Sequence, residues 1–224
     1  MSIKNNLHTI KQQLPKQVTL VAVSKTKPIA LLQEAYDAGQ RIFGENKIQE
    51  MTTKWETLPK DIEWHMIGHL QRNKVKYMAE YVQLIHAVDS LKLLQEINKQ
   101  AKKHNRTINC LLQIKIAQEE TKFGLSSQEA QELLDSEVLS PLKNICITGV
   151  MGMATFTDNQ EQVKEEFQLL KQVFDELKKQ SETQNFKPET ISMGMSGDYK
   201  LAINCGSTMV RIGSSIFGNR NYKE

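Results

Sequence analysis

The chain reads as an α/β protein, a single (β/α)8 TIM-type barrel. Three observations predict it. Eight short apolar runs of β type recur along the sequence, stretches with helical spacing separate them, and no linker, low-complexity segment or composition break divides the 224 residues. Strands alternating with helices argue for a parallel sheet. An α/β barrel of about 200–250 residues folds as one unit, so 1–224 is read as one domain. An open doubly wound sheet shows the same alternation; the count of eight units matches closure.

The β runs span 18–24, 41–44, 64–68, 84–88, 110–116, 145–151, 190–195 and 209–213. Several are near-continuous in Val, Ile and Leu, as expected of parallel strands covered on both faces. Between them, Ile48, Met51, Trp55 and Leu58 form a helical stripe that Pro59 ends. Leu91, Leu94, Ile97 and Ala101 form another after Ser90, an expected N-cap. Ser126 with Glu129 reads as a capping box before Ala130 and Leu133. Val163, Phe167, Leu170, Phe174 and Leu177 make the longest stripe, after Asp158. Such stripes are core rather than cofactor motifs.

Composition narrows the function classes. Lys and Arg number 29 against 26 Asp and Glu, a net charge of +3. That is too weak for a nucleic-acid binder, whose basic residues concentrate in one stripe. The densest basic run, Arg72 to Lys76, is read as a solvated helix face. Cys110, Cys146 and Cys205 lie far apart beside apolar residues and form no CxxC or zinc spacing, so they are expected as free thiols in a reducing compartment. The N-terminal segment is polar, without an apolar core of the signal-peptide kind. No apolar run approaches the roughly 20 residues of a membrane span. A cytoplasmic protein with neither nucleic-acid nor membrane partners is the expectation.

A barrel places function just past the C-terminal ends of its strands. Lys25 ends the run Val-Thr-Leu-Val-Ala-Val. Loss of water around its amine would favour the neutral form, which attacks an aldehyde to give a Schiff base. A surface lysine opening the next helix, marked by Lys27 and Pro28, fits the pattern equally. Ser196-Gly197 follows run seven and opens a short stretch, Leu201, Ala202 and Cys205, that Gly206 ends. Gly213-Ser214-Ser215 follows run eight. Barrels often bind phosphate with these two loops, where small residues let backbone N–H groups approach an anion; ordinary turns and caps are the plainer alternative. GxGxxG, P-loop, GxSxG and HExxH patterns are absent. His65 is read as structural, His69 as able to face the site, and His8, His86 and His104 show no constellation. No metal site and no catalytic residue is assigned.

Certain segments carry a family resemblance. Val21-Ala22-Val23-Ser24-Lys25-Thr26-Lys27-Pro28, Phe43-Gly44-Glu45-Asn46 and Trp64 to Lys74 (WHMIGHLQRNK) resemble the pyridoxal phosphate (PLP) homeostasis proteins, relatives of the alanine racemase N-terminal barrel. So do Ser192-Met193-Gly194-Met195-Ser196-Gly197-Asp198 and Val210 to Gly218. The match runs nearly end to end. It implies PLP held as a covalent imine on Lys25, with Ser196 and Gly197 as a first phosphate loop and Gly213 and Ser214 as the second. Arg211 would face the pyridine nitrogen, and Asn46 and His69 would line the pocket. The chain departs from the family at Lys115, often Asn, and Val150, often Leu.

The resemblance also bears on activity. An arginine at the pyridine nitrogen is always cationic and only donates, so the nitrogen should stay unprotonated and the ring should be a weaker electron sink. Racemases of this kind add a tyrosine from a further β domain, for which the chain, ending at Glu224, is read as having no room. Tyr222 is expected in solvent, and Tyr199 matches no acid/base role. The expectation is a PLP carrier acting in vitamin B6 and amino-acid balance, a monomer or weak homodimer serving PLP-requiring apo-enzymes. The alternatives are a one-base PLP racemase-type enzyme and a barrel enzyme using a lysine Schiff base without PLP.

Overall fold

A computed structural model describes residues 2–118, 123–179, 183 and 185–219. The expected closed barrel is present, with eight parallel strands hydrogen-bonded in chain order and the first paired to the last. The strands are β1 Thr19–Val23, β2 Ile42–Glu45, β3 Glu63–Met66, β4 Val82–Val88, β5 Ile108–Gln113, β6 Ile145–Met151, β7 Phe186–Ser192 and β8 Met209–Ile212. The helices are α1 Ile3–Gln13, α2 Ile29–Asp37, α3 Ile48–Thr57, α4 Leu91–Lys103, α5 Ser127–Asp135, α6 Gln160–Lys178, α7 Tyr199–Asn204 and α8 Ser214–Phe217. The basic run expected on a helix face forms a 3-10 helix, Arg72–Tyr77, with Arg72, Asn73 and Lys76 exposed and Val75 buried.

Each helix exists because its apolar stripe has a strand surface to cover. All five residues of the long stripe, Val163 to Leu177, are buried on α6. Its cap is Asn159, whose side chain accepts from the Glu161 and Gln162 amides. The Ser126–Glu129 capping box forms as expected. Ser90 occupies the N-cap of α4, yet its hydroxyl turns to Asp89 and caps no amide.

Alternation divides the strand side chains between two faces. Leu20, Ala22, Trp64, Met66, Val210 and Ile212 join the large core between barrel and helices. Val21, Leu84, Leu111, Met151 and Met209 form a separate cluster, the packed barrel interior. Run seven departs from expectation. β7 begins at Phe186 and ends at Ser192, because Pro188 and Glu189 conceal its start and Met193 to Met195 already belong to the loop. Gly149 shows why β6 and β7 fit together. A Cβ there would lie 1.9 Å from the Thr190 carbonyl oxygen.

Candidate cofactor site

Two residues past β1 comes Lys25, half-buried, in a turn whose neighbours are tightly held. Ser24 is buried and donates its hydroxyl to Glu45 Oε1 at 2.6 Å, and its amide to the Gly44 carbonyl. Lys54 Nζ, buried on α3, donates to the Ser24 carbonyl at 2.8 Å and to Glu45 and Glu50 at 2.7 Å each. Thr26 has φ +64° and donates its amide to Glu50. Lys27 Nζ donates to the carbonyls of Phe217, Gly218 and Asn219, fastening the same turn to the end of α8. Lys25 therefore opens no helix; α2 starts at Ile29 after Pro28.

The two candidate phosphate loops meet. The Gly213 amide donates to Ser196 Oγ at 3.2 Å. Gly213 also backs onto the end of β1, where an added Cβ would lie 3.1 Å from the Val23 carbonyl. The loops after β7 and β8 thus come together beside the Lys25 turn. Gly197 faces open space and Ser214 is exposed at the start of α8. Asp198 accepts from the Met195 amide at 2.5 Å and closes the first loop; burial raises its pKa, against the pull of that amide and Arg211.

Arg211 lies between outward-facing Val210 and Ile212, so it projects into the barrel, where it is buried. Its Nη1 donates to Ser192 O at 2.8 Å and Ser192 Oγ at 2.7 Å, and its Nη2 to Gly152 O at 3.0 Å. Burial lowers its pKa to about 10, against a restoring pull from Asp198, so it remains a cation at neutral pH. Ser192 Oγ also meets His86 Nδ1 at 3.0 Å, and His86 Nε2 meets His65 Nδ1 at 3.1 Å. Burial drives the His65 pKa to about 3. It drives His86 well down too, helped by His65 and Arg211, so both rings are neutral. His65 is structural as expected, whereas His86 is the middle member of a constellation the sequence did not reveal.

Asn46 and His69 sit on the rim between β2, β3 and the β5 loop. Gly68 lies against Asn46, with an added Cβ only 2.8 Å from the Asn46 Cβ. Asn46 Oδ1 is buried with no partner among the described residues, an acceptor held ready for a donor. His69 stands 3.5 Å from Asp89 and stacks on Phe123. No described contact joins it to Lys25 or Arg211. Lys115 is exposed, and Val150 packs in the outer core rather than in the barrel. Tyr199 turns away from the mouth, donating its hydroxyl to Gln13 on α1; Tyr222 lies outside the described residues.

Sequence reasoning missed the Glu45–Lys54–Glu50 cluster and the Ser192–His86 pair. The first carried a signal. Position 54 falls three residues past Met51, on the core face of the helical stripe, where a charge needs a buried partner. The histidines carried none, because their meeting depends on barrel closure.

Residues 1–221 match the alanine racemase N-terminal domain family. A Haemophilus influenzae protein named pyridoxal phosphate homeostasis protein is 38% identical over 235 residues, spanning 99% of this chain and 98% of that one. The chain belongs to this family. PipY of Synechococcus elongatus, solved with PLP bound, is 34% identical with a TM-score of 0.86, covering 97% of this chain and 100% of PipY. An alanine racemase from Clostridium difficile shares the fold at TM-score 0.74 and 16% identity, over 99% of this chain and 58% of the racemase. Family membership thus rests on the full length of the chain, and the racemase likeness shows the barrel alone. Among the described residues no helix is long and apolar enough to cross a membrane, and no group of three or more His, Cys, Asp or Glu could hold a metal.

Proposed function

We propose that this protein binds PLP through a covalent imine on Lys25 and keeps it available in the cytoplasm as a homeostasis carrier rather than an enzyme, acting as one domain over 1–224. One observation carries the reading: Lys25, the joined Ser196–Gly213 loops and the buried Arg211 guanidinium converge at one end of the barrel. The full-length relation to PLP homeostasis proteins and the PLP-bound PipY structure support it.

The residues fit the group. A phosphate suits the backbone amides and hydroxyls of Ser196, Gly197, Gly213 and Ser214. Asn46 Oδ1, buried without a partner among the described residues, offers one acceptor against Gly68. Arg211 presents a donor-only cation to the ring nitrogen and excludes a proton there. When bound, PLP supplies an aldehyde and an electron-withdrawing ring. The Lys25 amine would hold that aldehyde covalently, with release of water.

The carrier reading rests on what the rest of the site does. The arginine weakens the ring as an electron sink. The hydroxyls of Tyr36, Tyr81 and Tyr199 are engaged with Asp61, Thr52 and Gln13. PLP-requiring apo-enzymes are the expected recipients. Borohydride reduction of the PLP-treated protein, followed by mass spectrometry, tests the reading. A single phosphopyridoxyl adduct at Lys25 and no conversion of amino-acid enantiomers is expected. Scattered adducts, or sustained racemisation, would overturn it.

A further inference from the structure

We propose that Glu50 and Lys54, carried on α3, are positioning residues for Lys25, acting with Glu45 to fix the turn from which its amine reaches the barrel mouth. The inference rests on the reading of Lys25 as the cofactor lysine. Its basis is a cluster of three ionisable groups that the fold itself does not require. Lys54 and Glu45 have side chains only 4% and 0% exposed, and Glu50 24%. Removing such charges from water is costly, and apolar residues of similar volume often serve stability as well or better. Position 54 lies on the apolar face of α3, where a Met or Leu would pack with Met51 and Ile48.

The contacts of the cluster end on the two residues that flank Lys25. On one side, Ser24 gives its hydroxyl to Glu45 Oε1 and receives Lys54 Nζ at its carbonyl. On the other, Thr26 gives its amide to Glu50 Oε1 at 2.6 Å. Lys54 Nζ bridges the two carboxylates at 2.7 Å each, so neither grip acts alone. Thr26 is held at φ +64°, a region that a β-branched residue rarely adopts and that persists only where surrounding contacts over-determine it. Such strain at a functional site serves orientation. The Cα–Cβ direction of Lys25 is set by the φ and ψ angles around it, and both neighbours are clamped. The Lys27 contacts to the end of α8 secure the same turn on the side of the phosphate loops. The base of Lys25 thus stays fixed relative to Ser196 and Gly213.

The test compares wild type, Glu50→Ala, Lys54→Met and the double variant Glu50→Ala/Thr26→Asn as full-length proteins. The first readout is the rate of covalent PLP capture. The second, in cofactor-free protein, is the labelling rate of Lys25 by acetic anhydride relative to exposed Lys187, read by mass spectrometry. Glu50→Ala removes the acceptor of the Thr26 amide and is expected to slow capture about tenfold, since small misplacements of a reacting group cost that order or more. Its Lys25 labelling should rise towards that of Lys187. Asparagine tolerates a positive φ without the Glu50 contact, so Thr26→Asn is expected to restore most of the capture rate. A folded Glu50→Ala protein that captures PLP and labels Lys25 as wild type does would overturn the proposal. So would a fall in melting temperature with both rates unchanged. Should Lys54→Met fail to fold, Glu50→Ala and its rescue decide the matter. If wild type forms no adduct at Lys25, the cofactor reading fails, and the labelling comparison still reports on the clamp.

Discussion

Arg211 anchors the chain of side chains below it. Its guanidinium only donates, so Ser192 Oγ accepts from it and in turn meets His86 Nδ1. His86 Nε2 meets His65 Nδ1, and one of these two neutral rings supplies the proton between them. Replacing Ser192 with Ala removes an acceptor for the cation and a partner for the ring at once. A loss of about 1–3 kcal/mol in unfolding free energy is expected, measured by urea denaturation. The histidines also predict an acid response. Their native pKa values lie below the ordinary 6.5, with His65 near 3, so the unfolded chain binds more protons in that window. Their contribution is complete above pH 6.5 and lost as pH falls towards 3. In a His65→Gln/His86→Gln protein the denaturation midpoint should fall less between pH 6.5 and 4.5 than in wild type. An equal fall would show that these rings do not carry the response.

At the scale of elements, buried polar side chains tie the loops at the barrel mouth to the helices behind them. Glu166 on α6 accepts from the amide and hydroxyl of Thr155 and from the amide of Gln118, so it joins the loops after β5 and β6. Burial alone would raise its pKa, but these donors and Gln162 outweigh burial and hold it below the ordinary 4.5. A depressed carboxylate stabilises the fold above its unfolded value and loses that effect as pH falls through the native one. Glu166→Gln should therefore be less stable than wild type at pH 7, and the gap should close as pH drops below 4.5, as followed by urea midpoints. This division explains what the sequence could reveal. Strands and long helices were legible because periodicity reports burial locally, as in the α6 stripe. The strand-end positions Lys25, Ser196 and Arg211 were legible because a barrel collects strand ends at one face. Glu166 and His86 were not. Each looks like an ordinary polar residue until closure brings partners 48 or 106 positions away in sequence.

For the whole molecule, the seam between β7 and β8 is where barrel integrity and the proposed ligand site coincide. The two strands share a single register pair, Ser192 with Met209, whereas β1 and β8 share four. Backbone bonds from Thr208 to Ile191, Met193 to Met209 and Arg211 to Gly194 carry the join past the regular ladder, and side chains complete it. Ser207 Oγ lies 2.7 Å from Met193 O and 3.0 Å from Met209 O, Thr208 Oγ1 accepts from the Ile191 amide, and Arg211 bridges to Ser192. A ladder with few regular pairs opens at lower free energy than one with many. Amide exchange along 190–194 and 207–212 should therefore outpace exchange along β4 and β5 in the ligand-free protein. Ser207→Ala should widen that difference and leave β4 and β5 unchanged. Both candidate phosphate loops continue from this seam, so a ligand bridging Ser196 and Gly213 would bind the closed seam and not the open one. Bound at 100 times its dissociation constant, it would stabilise the closed form by about 2.7 kcal/mol. Saturating PLP is thus expected to slow exchange at the seam by about a hundredfold. Slowing spread evenly over all eight strands would instead mean that the ligand senses global unfolding and that the seam does not open by itself.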